Sequence, residues 1–295
     1  MTMPRKEPTI AFIGLGVMGM PIARRLRSTF ARVAGFDVSS EVRSAAARDG
    51  IMAVESIAQA VRDAQAVFMM LPKVEIARTV THEVVAYAAR GTILVELGTI
   101  GSDAASQHAR FAQEAGLGYV DAPVINGGQQ GAEAGTLKIL AGGDVADIAA
   151  IEPMLRAFST DTFHMGPVGT GQSMKLLHNT LLAALTTAYA EALVLADKSG
   201  IGAARAYEIL KGSSARSFAL EWLMAPAVRG DFSGGAKVDI LSKDLLLGRC
   251  EVDRFQAPAG MAARATSLYQ ACQAHGLGNL DMSAIFKLLT DHAEL

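Results

Sequence analysis

The chain has few cysteines, almost no charge imbalance, no internal repeat or low-complexity tract, and no clean apolar run of membrane-spanning length. Each absence removes a class of function. Two cysteines, Cys250 and Cys272, without a Cys-x-x-Cys spacing, rule out a disulfide framework and suggest reduced thiols in a cytoplasmic protein. The 27 basic and 29 acidic residues leave a net charge of −2 with no basic block, which argues against nucleic acid and anionic membrane as partners. The longest apolar stretch, Leu181 to Ala196, is interrupted by Thr186, Thr187, Tyr189 and Glu191, which argues against a membrane span and suits a helix buried between domains or subunits. Arg5 and Lys6 before an apolar run look superficially like a signal peptide, but the glycines that follow belong to a folded βαβ pattern. No metal site is expected.

What the sequence does contain begins at Thr9. Ile10 to Ile13 is a short apolar run suited to a buried parallel strand, and Gly14, Gly16 and Gly19 follow in the spacing G-x-G-x-x-G. Gly14 permits the tight turn, Gly16 lets a pyrophosphate approach the backbone, and Gly19 lets the following helix pack closely on its sheet. The helix start offers free N–H groups to a diphosphate, so Leu15, Val17 and Met18 join the glycines as candidate cofactor contacts. A second strand, Val33 to Phe36, ends in Asp37, eighteen residues after Gly19. A carboxylate there accepts hydrogen bonds from both ribose hydroxyls and repels a 2′-phosphate, which predicts NAD, with NADP disfavoured.

The pattern alternates strand and helix as far as about residue 167. Apolar runs at Ala66 to Leu71, Thr92 to Leu97, Tyr119 to Ala122 and Leu137 to Ala141 read as strands. Ser56 and Ser102 read as caps of the helices that follow them. Leu71 and Pro72 mark a strand-to-loop junction that either contacts the adenosine half of the cofactor or is simply a junction. Thr99 lies on the same carboxyl edge, where its hydroxyl can reach the nicotinamide end. The rest reads as long helices punctuated by Gly200, Gly212, Gly230, Pro258 and Gly276. The expected fold is an α/β Rossmann domain with a doubly wound, mostly parallel sheet over 1–167, followed by an all-helical domain over 168–295 that opens with a long interdomain helix.

Two segments carry candidate chemistry. Asp121 to Leu137 (DAPVINGGQQGAEAGTL) reads as a glycine-rich loop in which Asn126, Gly127 and Gly128 can cradle a substrate carboxylate, although any exposed loop contains such residues. Gly169 to Asn179 (GTGQSMKLLHN) opens the long helix and puts Lys175, His178, Asn179 and Leu182 on one face. Burial lowers the pKa of a lysine, so Lys175 can act as an acid/base with Asn179 aligning the substrate oxygen; an exposed lysine on a solvated face is the plainer alternative.

The ordered segments GLGVMGMPIARRL, MLP, GT, DAPV with its glycine loop, GTGQSMKLLHN and LSKDLLLG resemble the β-hydroxyacid dehydrogenase family, which includes 3-hydroxyisobutyrate dehydrogenase. The resemblance implies that Lys175 is the catalytic acid/base, that Asn179 assists at the substrate, that the Asp121 loop holds the substrate carboxylate, and that Lys243 reaches the nicotinamide side. From the residues alone, Lys243 could equally pair with Asp244 or Asp239. The family commonly has DAPVSGG, whereas this chain has DAPVINGG, one residue longer and without the serine. The activity implied is NAD-dependent oxidation of a small β-hydroxy acid to its semialdehyde. The alternatives are a reductase of a tartronate, glyoxylate or succinic type semialdehyde, and a non-catalytic NAD-binding regulator. The flat alanine-rich helical face implies a homodimer or homotetramer.

Overall fold

The computed structural model describes residues 9–291, so Arg5 and Lys6 lie outside the described residues. It divides into two compact units between Lys175 and Leu176. The first is built on nine strands: β1 (Thr9–Ile13), β2 (Arg32–Phe36), β3 (Met52–Ala53), β4 (Ala66–Met69), β5 (Ile93–Glu96), β6 (Gly118–Asp121), β7 (Val124–Ile125), β8 (Leu137–Gly143) and β9 (Ser159–Gly166). Their order is β3-β2-β1-β4-β5-β6-β8-β7, with β9 also paired to β8. The first six run parallel to one another; β8 runs antiparallel to β6 and β7 and parallel to β9.

Seven helices belong wholly to this unit: α1 (Gly19–Thr29), α2 (Ser40–Arg48), α3 (Ile57–Val61), α4 (Val74–Tyr87), α5 (Ser102–Glu114), α6 (Gly128–Ala134) and α7 (Val145–Leu155). The two-residue period of a strand sends alternate side chains to opposite faces of the sheet. Ile10 and Phe12 of β1 enter a core shared with Ile22 and Leu26 of α1, whereas Ala11 and Ile13 enter another shared with Val80 of α4 and Ala109 of α5. Both faces are covered, so the strands are apolar throughout rather than alternating, as parallel sheets require. Across the first core Phe12 stacks on Phe68 with ring centroids 6.2 Å apart, and Phe68 meets Phe158 edge to face at 6.0 Å.

Three local expectations change. Gly101 rather than Ser102 caps α5, because φ is 84° there and α5 begins at Ser102. The presumed loop from Asp121 to Leu137 contains β7 and α6, the latter entered through Gly127 in the left-handed region at φ 86°. The edge strand β9, with largely exposed polar residues, carries no apolar signature that sequence reading could find.

The second unit is helical. It takes most of α8 (Thr170–Lys198), then α9 (Ala203–Leu210), a π turn (Leu220–Met224) leading into α10 (Ala225–Ala227), and α11 (Val238–Phe255), α12 (Gly260–Ala274) and α13 (Ala284–Asp291). Among the described residues α8 is the one helix long and apolar enough to cross a bilayer by length and composition. Its Ala183, Ala190 and Leu193 are wholly buried in a core with Leu245 of α11, Tyr269 of α12 and Leu288 of α13. That buried stripe of α8 supplies part of the interior of this unit, while Leu181 and Leu195 of the same helix stay exposed.

Candidate active site

The glycine turn after β1 is defined by what each position has no room for. A Cβ on Gly14, where φ is 90°, would overlap Met70 O, and one on Gly19 would overlap Gly14 O. Gly16, by contrast, has no heavy atom within 4 Å of where its Cβ would stand. The turn is thus closed toward the sheet and open outward, which is the shape a diphosphate needs above a helix start. Leu15 buries its side chain in the core while Val17 is 70% exposed beside the opening, and Met18 stands at the N-cap of α1.

Asp37 follows β2 on the same edge. Its Oδ2 accepts the Leu15 N–H at 2.8 Å and its Oδ1 accepts the Ser39 N–H at 3.0 Å. The carboxylate is half-buried and fixed against the glycine turn, where ribose hydroxyls would meet it. The residues present fit a dinucleotide: an open Gly16, a helix start and a held acid.

Two further strand ends join this edge. Leu71 follows β4, and its side chain lies 3.1 Å from the Cβ position of Gly14. Gly98 follows β5 so closely packed that a Cβ would come within 3.0 Å of Leu71 O. Pro72 is exposed and Thr99 half-buried, the latter between buried Gly98 and Ile100. Gly14, Leu15, Asp37, Leu71, Pro72 and Thr99 therefore share the carboxyl edge of one parallel sheet, where open α/β sheets bind ligands.

The first turns of α8 rise from that edge as well. Asp121, the last residue of β6, is fully buried and accepts N–H groups from Gly169 (2.7 Å) and Gln172 (2.8 Å). Burial pushes its carboxyl up to about 6, against the pull of the backbone donors Gly169, Gln172 and Gly171. A carboxylate at a helix N-terminus satisfies donors that have no partner within the helix and opposes the positive end of its dipole. Gln172, also fully buried, holds the loop after β5 by three hydrogen bonds. Lys175 stands three residues, just under one turn, beyond Gln172 and is half-buried. Asn126, at φ 70°, Gly127 and Gly128 are exposed at the start of α6.

In the helical unit, Asn179 and Lys243 converge on one residue, Asp244. This carboxylate is 3% exposed; its Oδ2 accepts the Asn179 amide at 2.6 Å, and its Oδ1 lies 3.0 Å from Lys243 Nζ. A carboxylate can only accept, so the contact assigns the nitrogen of the Asn179 amide to that side. Oδ1 of Asn179 faces Nδ1 of His178 at 3.1 Å. Of the two acids open to Lys243 in the sequence, Asp244 is the ion-pair partner, while Asp239 accepts from Gln273.

Sequence reasoning passed over Asp121, Gln172 and Asp244 as site residues. Apart from Lys243 beside Asp244, the hydrogen-bond partners that define them lie 48 to 74 residues away in the chain, so no local spacing announces them. Among the described residues no cluster of three or more His, Cys, Asp or Glu could hold a metal ion.

A sheet edge that fits a dinucleotide, followed in the chain by a helical unit, defines a two-part dinucleotide-binding protein, and comparison with known proteins gives its family. Residues 9–166 match the NAD binding domain of 6-phosphogluconate dehydrogenase, and residues 169–289 match the NAD-binding domain of NADP-dependent 3-hydroxyisobutyrate dehydrogenase. The chain is 36% identical over 287 residues to 2-(hydroxymethyl)glutarate dehydrogenase of Eubacterium barkeri, covering 96% of this chain and 95% of that one. It is 36% identical over 290 residues to the NAD-dependent L-serine dehydrogenase of Pseudomonas aeruginosa, covering 95% and 97%. A solved structure of Mycobacterium tuberculosis 3-hydroxyisobutyrate dehydrogenase with L-serine superposes with a TM-score of 0.89 at 32% identity, covering 96% and 99%. The chain belongs to the β-hydroxyacid dehydrogenase family. It is an NAD-dependent hydroxyacid dehydrogenase.

Proposed function

We propose that the protein catalyses the reversible oxidation of a small β-hydroxy acid of the 3-hydroxyisobutyrate type to its semialdehyde. The substrate class is an acid with a hydroxymethyl group on the carbon that bears the carboxylate. The compounds named in the three relatives above, hydroxymethylglutarate, L-serine and 3-hydroxyisobutyrate, share that unit and differ in the third substituent. The observation that carries the reading is the start of α8, anchored by Asp121 on the sheet edge that holds the glycine turn and Asp37, with Lys175 in its second turn.

In this reading the neutral amine of Lys175 takes the hydroxyl proton as the carbinol carbon gives up its hydride. Bound NAD supplies the acceptor for that hydride. Asn179, its amide nitrogen turned to Asp244 and retaining a second N–H, aligns the reacting oxygen. Asn126 and the N–H groups of Gly127 and Gly128 receive the carboxylate, and Lys243 steadies the nicotinamide side. Gly14 to Gly19 hold the diphosphate, Leu71, Pro72 and Thr99 line the rest of the cofactor, and Asp37 favours NAD over NADP. In reduction, the Lys175 ammonium returns the proton to the carbonyl oxygen.

We further propose a cytoplasmic homodimer or homotetramer. Leu181 and Leu195 on α8 are 56% and 69% exposed, and Ile209, Phe218 and Met261 are exposed on the same helical unit. Apolar exposure on that scale suits burial against a second copy.

Nicotinamide absorbance during a screen of 3-hydroxyisobutyrate, L-serine, glycerate, threonate and 4-hydroxybutyrate tests the activity. Oxidation confined to acids with the hydroxymethyl group next to the carboxyl-bearing carbon is expected; preference for 4-hydroxybutyrate would overturn the substrate class.

A further inference from the structure

The loop after β5 and the start of α8 are joined through one side chain. Gln172 Oε1 accepts the N–H groups of Ile100 at 2.9 Å and Gly101 at 3.1 Å, and its Nε2 donates to Gly98 O at 2.8 Å. These three bonds bracket Thr99 on both sides. The amide is used to capacity on its oxygen and through one of its two N–H bonds, and the side chain is wholly buried. Gln172 itself has little freedom, because its own N–H is held by Asp121. Around that contact there is no slack. A Cβ on Gly171 would overlap Leu140 O, and one on Gly142 would come within 2.6 Å of Asp121 Oδ1 and 2.9 Å of Gly171 N. Lys175 lies three residues beyond Gln172, and positions three apart are neighbours on a helix surface.

We infer that Gln172 is a positioning residue for the reaction: it fixes the Thr99 loop to the helix that carries Lys175, so that the Thr99 hydroxyl and the Lys175 amine are set from one rigid point. Asp121 provides the base of that point by fixing the start of α8. The inference rests on the proposed role of Lys175 and deepens it, since Gln172 touches neither substrate nor cofactor in this scheme. A buried polar group with three bonds to backbone is costly to assemble and stabilises one loop geometry above others. Proton and hydride transfer are steep functions of such geometry.

The test uses the full chain in three forms: wild type, Gln172→Met and Gln172→Glu. Methionine matches the length and makes none of the three bonds. Glutamate keeps the acceptor for Ile100 and Gly101, and donates to Gly98 O only while protonated. Amide hydrogen exchange of the protein alone reads the fastening directly. Exchange at Ile100 and Gly101 is expected to speed up at least ~10-fold in Gln172→Met and less in Gln172→Glu. Unchanged exchange in Gln172→Met overturns the fastening, whatever the activity.

Turnover is read on 3-hydroxyisobutyrate, or on L-serine if that is faster, with hydrogen and deuterium at the carbinol carbon. In Gln172→Met, kcat should fall at least ~10-fold with KM within about 3-fold, and the isotope effect on kcat should rise. In Gln172→Glu, the ratio of its kcat to wild type should decline as pH rises and the new carboxyl ionises. Freed amides with unaltered kcat, isotope effect and pH profile overturn the positioning role. Lys175→Ala, run alongside, separates the two readings: full turnover there removes the acid/base assignment, while the exchange result at Ile100 and Gly101 is judged independently. Melting curves of all variants show whether each is folded, and Gln172→Glu carries the test if Gln172→Met is not.

Discussion

Asp37 and Leu15 are joined by a 2.8 Å hydrogen bond from the Leu15 N–H to Asp37 Oδ2. The carboxylate that would face the ribose therefore also holds the glycine turn. Asp37→Ala should weaken NAD binding about 10-fold and narrow the gap to NADP at least as much, because it removes both the ribose acceptor and the charge that repels a 2′-phosphate. It should also lower stability by about 1–3 kcal/mol, since it removes the acceptor of a buried-side N–H. Cofactor titrations and melting curves measure the two effects separately. Equal use of NAD and NADP by the unmutated protein would contradict the electrostatic argument.

Lys175→Ala should reduce kcat at least ~100-fold if the amine transfers the proton, with NAD binding little affected. Steady-state turnover and cofactor fluorescence check the pair. An alanine variant with full kcat would return Lys175 to the class of ordinary surface lysines.

Asp244→Ala removes the acceptor that orients the Asn179 amide and the ion-pair partner of Lys243. The expected cost is about 2–4 kcal/mol, larger than for an exposed pair because the site is buried. Asp244→Asn should recover part of the stability but not the fixed amide orientation, and so should keep a lowered kcat. Chemical denaturation together with turnover distinguishes the two losses.

Two buried groups give opposite pH responses. Asp121 is pushed up to about 6, so between its unfolded value and that point the folded state holds a proton the unfolded chain has lost, and stability falls as pH rises through the window. His108 is pushed down to about 4, chiefly by burial and secondarily by the charges of His82 and Arg78, so stability falls as pH drops from 6.5 toward 4. The two trends offset each other in the wild type. His108→Phe should expose the Asp121 trend, with a melting temperature that declines between pH 4 and pH 6 more steeply than that of the wild type. A His108→Phe profile that rises over this range would contradict the assignment.

Light scattering should report a dimer or tetramer, and Leu181→Arg with Leu195→Arg should shift it toward monomer while leaving the sheet unit folded. A monomeric wild type would remove the proposed assembly.

The nucleotide half of the site was legible because its signals are local. The strand at Ile10 to Ile13, the three glycines and Asp37 lie within one βαβ segment, and each glycine's task follows from its spacing. The serine cap at Ser56 was legible for the same reason, its hydroxyl accepting the Gln59 N–H three residues on. Ser102 misled because a serine at a helix start competes with a neighbouring glycine, and Gly101 alone tolerates φ 84°. Asp121, Gln172 and Asp244 were not legible as site residues. What defines them is a partner brought near by folding, and neither an aspartate after an apolar strand nor a glutamine in a helical run differs on paper from its solvent-facing counterparts.

The crowding at Gly171 and Gly142 has a mechanical consequence. With Leu140 O pressed where any methyl would stand, the first turn of α8 lies against β8 with no spare space. Gly171→Ala should therefore lift the first turn of α8 off β8 by steric contact alone, without removing a single hydrogen-bonding group.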